Sequence, residues 1–149
     1  LADVLGEKAR FAGAGAAGAI PASLVAVLGA RVVAGSDFVL DLIGFDAALR
    51  GASLVISAEG RFDAQSAMNK GPVAVARRAR ARGVPTIVLA GAMETRELDE
   101  THVAAALSIT RTPCELDQAR SSTADWLALT AEQVLRVFML GQSAARAVP

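Results

Sequence analysis

Two short apolar runs, each bounded by polar residues or glycine, constrain the fold more than any other feature of this sequence. The runs are residues 53–57 and 84–90, and each has the length and composition of a buried parallel strand. Between them, residues 72–82 are predicted to be helical, because Pro72 suits a first helical turn and Gly83 suits a helix end. A strand, a helix and a strand in this order predict an α/β fold with a mostly parallel sheet flanked by helices.

The remaining elements are predicted from local patterns and divide the chain near residue 50. We expect a Gly/Ala-rich helical segment over residues 1–50 and an α/β part over residues 51–149, with a loop at 58–71. The shorter elements expected are helices at 22–28, 36–43, 46–50 and 94–104, strands at 31–33 and 106–110, and a final helix from about residue 121 to 140 with a frayed tail.

Charge and composition exclude several classes of protein. The 149 residues carry fifteen basic and fifteen acidic side chains, so no net field attracts nucleic acid. Residues 11–30 are uncharged, but their weakly apolar Gly/Ala half and Pro21 argue against a membrane span or a signal peptide. The single cysteine, Cys114, indicates a reducing, cytoplasmic location.

A glycine-rich segment at residues 13–18, Gly-Ala-Gly-Ala-Ala-Gly, matches the spacing G-x-G-x-x-G, and Asp37 follows about twenty residues later. Glycines at Gly13, Gly15 and Gly18 would let backbone amides approach an anion. Residues 7–11 are a poor strand, and the dinucleotide-binding fingerprint requires a strand there. An anion-binding loop of another kind and a turn for close helix packing are the alternatives.

Charged residues follow the first predicted strand, where ligands bind in open α/β sheets. Glu59, Arg61, Asp63 and Gln65 together offer contacts for a metal, a phosphate and a hydroxyl. Lys70 opens the next helix, where an ammonium suits a phosphate. A solvated loop with local ion pairs is the alternative.

Several of these segments resemble the glycerate kinases of the two-domain bacterial type. The resemblance rests on residues 13–18, Leu28-Gly29-Ala30, residues 40–46, residues 54–65, Lys70, Pro72, residues 75–78, residues 83–85, Ala90-Gly91 and residues 130–134. It implies ATP-dependent phosphorylation of a hydroxyl of D-glycerate, with Mg²⁺, by a chain more than twice this long. This sequence would then be the C-terminal portion: the end of an inserted α/β domain, followed by part of a flavodoxin-like domain.

The same resemblance implies roles for individual residues. Glu59 and Asp63 would bind Mg²⁺ or the glycerate hydroxyl, with Asp63 as the metal ligand and Glu59, Asp63 and Lys70 as the catalytic set. Arg61 and Lys70 would neutralise phosphate or carboxylate, Gln65 would bind substrate, and Gly13, Gly15 and Gly18 would approach an anion.

Departures from the family pattern leave an alternative function open. The family usually has glycine where this chain has Ala19, Pro21, Ala58, Asn69 and Ala74, and this sequence does not contain the family's N-terminal strand and Asp-Ser-Phe-Lys loop. A non-catalytic ligand-binding module or a degenerate kinase homologue is therefore the second hypothesis. A partial parallel sheet also exposes an open edge, which a homo-oligomer would cover.

Overall fold

The computed structural model of the chain describes residues 6–63, 71–94 and 102–147. It divides into two compact units, Leu1–Phe38 and Val39–Pro149. In the first unit, a 3-10 turn at Glu7–Ala9 packs on helix α1, Ala16–Leu28. Helix α2, Gly35–Leu42, begins in the first unit and ends in the second.

The second unit is built on a parallel sheet. Its elements are α3 (Phe45–Ala48), β1 (Val55–Phe62), α4 (Gly71–Arg80), β2 (Thr86–Met93), β3 (Ala105–Ser108), α5 (Leu116–Ser121) and α6 (Thr123–Ala147). The strands lie in the order β1-β2-β3, and both pairings are parallel. The expected α/β class with a parallel sheet flanked by helices is therefore confirmed.

A helix packs on each face of the central strand, β2. Successive side chains of a strand point to opposite faces, so they contact the two helices alternately. Val88 and Ala90 of β2 are fully buried in a cluster with Val73 and Ala76 of α4. Leu89, between them in sequence, packs instead with Val134 of α6. This alternation explains why the second apolar run has no polar face, as expected for a strand buried on both sides.

An ion-pair network joins α2 and α3 to the second half of α4 and to the residues that follow it. Arg78 on α4 contacts Asp41 at 2.6 Å and Asp46 at 3.0 Å, and Arg82 contacts Asp46 at 3.2 Å. The hydrogen bond from Arg78 lowers the pKa of the Asp46 carboxyl below its usual value. Arg78 and Arg82 therefore pair with carboxylates of the chain itself.

The prediction of a strand at 31–33 is wrong. Residues 31–34 belong to no helix or strand, and Val32 and Val33 are 52% and 46% exposed. Short β-branched runs form strands only when a neighbouring strand pairs with them and buries one face.

The predicted loop at 58–71 is wrong for its first part, because β1 continues to Phe62 in register with β2, with Arg61 opposite Ala92 and Phe62 opposite Met93. Within the described sheet β1 is an edge strand, and Ala58 and Gly60 on it are exposed. An exposed face tolerates the polar residues that suggested a loop.

Two predictions near the C-terminus also need correction. Of the predicted helix 94–104, residues 95–101 lie outside the described part of the chain, and 102–104 form a turn and a bend. The tail is not frayed from residue 141, since α6 continues to Ala147. Helix α5 was not predicted, while the third strand is confirmed with bounds shifted to Ala105–Ser108.

Within the described residues, no helix is both long enough and apolar enough to cross a membrane. An apolar groove of about 400 Å³ runs between the β3 side of the sheet and α6, lined in part by Leu107, Val137 and Phe138. Whether a second copy covers such surface stays a prediction.

Candidate functional site

The carboxyl ends of β1 and β2 bring charged side chains together at one edge of the sheet. Parallel strands end at the same edge, and ligands bind there in open α/β sheets. Arg61 stands near the end of β1, and Glu94 directly follows β2. The backbone N–H of Glu94 donates to the carbonyl of Phe62 at 2.9 Å, so the backbones that carry these side chains are held side by side.

Arg61 lies between two carboxylates. Its Nη2 donates a hydrogen bond to Oε1 of Glu94, and its Nε lies 3.7 Å from Oδ2 of Asp63. The Asp63 side chain is 21% exposed, whereas those of Arg61 and Glu94 are 58% and 55% exposed. The planar guanidinium has five donors, so it can engage two carboxylates at once. The less exposed carboxylate of Asp63 therefore lies beside the guanidinium of Arg61, which also pairs with Glu94.

Glu59 is the third acidic residue on this side of the sheet. It lies two residues before Arg61 on β1, opposite Ala90 of β2, and is half-buried. Successive odd positions of a strand share a face, so the strand itself brings Glu59 and Arg61 to one side.

At the same edge, β1 and β2 pack closely together, and the residues after β3 are hydrogen-bonded to β2. A Cβ on Gly91 would meet the carbonyl oxygen of Gly60 at 2.7 Å, so only glycine fits at this position. The Thr110 hydroxyl donates to the Gly91 carbonyl at 2.6 Å, and the Thr110 N–H donates to Oγ of Ser108 at 3.1 Å. The chain leaving β3 is therefore fastened to the end of β2.

Of the residues predicted for this site, the structure brings Arg61 and Asp63 together and places Glu59 on the same strand. Gln65 and Lys70 lie outside the described residues, and their roles stay predictions. Sequence reasoning missed Glu94, which it had assigned to the start of a helix. The signal was present, because Glu94 follows the clearest predicted strand just as the Glu59–Asp63 segment follows the first.

The glycine-rich segment belongs to the first unit and is described there by itself. No strand precedes Gly13 within residues 6–12, so the dinucleotide fingerprint lacks its required context. Gly13 and Gly18 have φ values of 89° and 69°, whereas Gly15 has an ordinary φ of −82°. The segment continues into a short left-handed turn, with Ala17 and Ala19 at φ 47° and 68°.

Some amides of this segment are already used internally. The N–H groups of Ala14, Ala16 and Ala19 donate to the carbonyls of Phe11, Gly13 and Gly15, respectively, at 3.0–3.3 Å. An anion bound here would therefore contact other amides of the turn.

The alanine at position 58 does not distort the site. Ala58 lies within β1 in regular register with Leu89, and the described non-glycine residues with positive φ are Ala17, Ala19 and His102. The backbone at Ala58 thus has no need of the freedom that glycine would give.

The described carboxylates of this edge could contribute to a magnesium site. Among the described residues, no cluster of three or more His, Cys, Asp or Glu side chains is arranged to hold a metal. Mg²⁺ commonly binds through one or two carboxylates, the remaining ligands being water and phosphate oxygens. Asp63, with its less exposed carboxylate, meets that requirement.

Comparison with known proteins gives one consistent result. A sequence model described as the glycerate kinase family matches residues 1–139. The chain is 35% identical over 136 residues to a glycerate kinase of Bacillus cereus, covering 90% of this chain and 36% of the relative. It is 31% identical over 132 residues to the glycerate 2-kinase of Escherichia coli K12, covering 87% of this chain and 34% of that relative.

A solved structure agrees with these relatives. A crystal structure from Salmonella typhimurium LT2, with a provisional assignment as glycerate kinase 2, matches with a TM-score of 0.69 and 34% identity over 88% of this chain and 34% of that one. This chain spans about a third of the length of the relatives it matches. The family match covers most of the chain and the structural match has the same fold, so the chain belongs to the glycerate kinase family.

Proposed function

We propose that this chain supplies part of the active site of a kinase that transfers the γ-phosphoryl group of ATP to a hydroxyl of D-glycerate, with Mg²⁺. Membership of the glycerate kinase family supports this activity. The observation that carries the proposal is the convergence of Asp63, Arg61 and Glu94 at the carboxyl edge of the sheet. Phosphoryl transfer depends mainly on positioning and charge stabilisation, and this edge offers charged groups on adjacent strands.

In this proposal the carboxylates bind the magnesium ion and the hydroxyl that accepts the phosphoryl group. Asp63 holds Mg²⁺, and Glu59 contacts Mg²⁺ or the hydroxyl of D-glycerate. When bound, Mg²⁺ would neutralise negative charge on the phosphates. Arg61 keeps its guanidinium beside Asp63, within reach of a phosphate or carboxylate of the substrates.

The remaining predicted residues complete the proposal. Lys70 neutralises phosphate, Gln65 donates or accepts a hydrogen bond with substrate, and the turn formed by Gly13, Gly15 and Gly18 presents amides to an anion. We also propose that residues 1–50 form the end of an inserted domain and that residues 51–149 form the C-terminal part of the other domain.

The test is turnover of D-glycerate by the native protein that carries this chain, with Asp63→Asn compared with Asp117→Asn. Asp63→Asn removes one charge from the site, and we expect kcat to fall by about 100-fold or more, as for loss of other charge-stabilising groups. Asp117 is an exposed helix residue whose carboxylate lies 3.8 Å from Arg120, so Asp117→Asn should keep wild-type turnover. Wild-type turnover in Asp63→Asn would refute the assignment of Asp63.

Calorimetric titration separates the kinase from a non-catalytic binding module. The native protein is titrated with Mg-ATP and then with D-glycerate, and the products are analysed after mixing both. Binding of both ligands together with formation of phosphoglycerate supports the kinase. Binding without product would favour the degenerate homologue.

A further inference from the structure

Glu94 is placed by the backbone to act on Arg61. Its N–H donates to the carbonyl of Phe62 at 2.9 Å, and Arg61 lies in register with Ala92, two residues before Glu94. The two side chains therefore start from backbone positions that the sheet fixes relative to one another. Their hydrogen bond links the ends of β1 and β2 through side chains as well as through the ladder.

Ion pairs with two carboxylates restrict the conformations that Arg61 can adopt. The side chain is 58% exposed, and a long exposed arginine populates many rotamers in solution. A carboxylate on each side restricts it: Asp63 follows on its own strand, and Glu94 approaches from the neighbouring strand. The guanidinium is thereby held at the sheet edge, next to the less exposed Asp63.

We propose that Glu94 is a positioning residue, which acts through Arg61 to hold the guanidinium beside Asp63 during phosphoryl transfer. The inference rests on the proposed function, and it assigns to Glu94 a role that the sequence patterns did not suggest. Glu94 itself contacts neither substrate in this proposal. Its contribution is the orientation of a charge, and misplaced charges lower the rate of transfer more than they weaken substrate binding.

The size of the effect follows from the exposure of the pair. An ion pair between half-exposed side chains restricts rotamers by a modest factor, so loss of Glu94 should lower kcat by about two- to fivefold. A group that bound substrate directly would raise KM instead. We therefore expect KM for D-glycerate to change less than about twofold, with the loss confined to kcat.

The experiment compares Glu94→Gln with Glu132→Gln in the native protein that carries this chain. Glu132 forms an exposed ion pair with Arg136 at 2.7 Å on α6, so Glu132→Gln removes the same charge from a comparable pair outside the site. Steady-state kinetics with D-glycerate and Mg-ATP give kcat and KM for each variant, and thermal unfolding midpoints show that all remain folded. Glu94→Gln should lower kcat as stated, and Glu132→Gln should match the wild type.

A double-mutant cycle tests whether Glu94 acts through Arg61. In an Arg61→Gln background, Glu94→Gln should cause no further loss of kcat, because the group that it positions is gone. Unchanged kcat in the single Glu94→Gln variant would overturn the inference, and so would an undiminished loss in the Arg61→Gln background. If the wild type lacks turnover, the proposed function and this inference both fail. If the wild type turns over and Glu94→Gln behaves like Glu132→Gln, only the positioning role fails.

Discussion

Replacing Gly91 with alanine is expected to force β2 away from β1 at the edge that carries Arg61 and Glu94. The added Cβ would lie 2.7 Å from the carbonyl oxygen of Gly60, closer than the van der Waals contact distance of about 3.5 Å for such atoms. The clashing atom belongs to backbone inside a paired strand, so no side-chain rotation relieves the contact. The two strands must separate locally, or the ladder between them must distort.

The expected cost is that of overpacking a tight site, about 1–3 kcal/mol in the free energy of unfolding. The matched control is Gly60→Ala, on the other side of the same contact. A Cβ there meets nothing within 4 Å, and the position is exposed on an edge strand. Alanine restricts the unfolded chain more than glycine does, so Gly60→Ala should be neutral or stabilising by up to about 1 kcal/mol.

Urea denaturation followed by tryptophan fluorescence measures both variants. Trp126 packs against the cluster that contains Leu89 of β2, so its emission reports unfolding of the unit that contains the mutation. Equal stability of Gly91→Ala and Gly60→Ala would refute the argument. It would mean that the strands are not held as closely at this edge as the geometry indicates.

Two further substitutions test local strain and burial. Ala19→Gly should stabilise the first unit by about 0.5–1 kcal/mol, because a left-handed φ of 68° costs alanine roughly 1–2 kcal/mol and glycine almost nothing. The control, Ala26→Gly in the right-handed part of α1, should destabilise that unit by about 1 kcal/mol. Hydrogen exchange of the α1 amides measures both changes in stability, and changes of the same sign in the two variants would contradict the reasoning. Thr86→Val should raise the stability of the second unit by about 1 kcal/mol, since the Thr86 hydroxyl is buried with no hydrogen-bond partner among the described residues. A loss of stability in urea denaturation would show that the hydroxyl is paired.

The sequence predicts the sheet well where packing and local pattern agree. The run at 84–90 is apolar on both faces, and β2 is buried between α4 and α6. The helix after Pro72 and its end before Gly83 follow from proline and glycine chemistry, and α4 occupies Gly71–Arg80. Such elements are determined locally, so a single sequence is enough to find them.

Predictions failed where a partner strand decides the structure. Val32 and Val33 have strand propensity without a neighbour to pair with, and they remain exposed. Glu59 and Arg61 have the composition of a loop, but the pairing of β1 with β2 extends the strand through them. Glu94 was missed for the same reason, since its position beside Arg61, 33 residues away in sequence, depends on the register between β1 and β2.

The balance of charge at the sheet edge bears on how the proposed kinase would receive ATP. Among the described residues of this edge, Glu59, Asp63 and Glu94 are acidic, whereas Arg61 is the basic residue that pairs with two of them. Among these described residues the carboxylates outnumber the guanidinium group, so these residues by themselves favour a cation over a bare polyphosphate. In the proposed function, Lys70 and a magnesium ion would therefore supply the positive charge that the phosphates of ATP require at this edge. Arg61, which pairs with Asp63 and Glu94, would then add one positive charge within reach of a phosphate or carboxylate of the substrates.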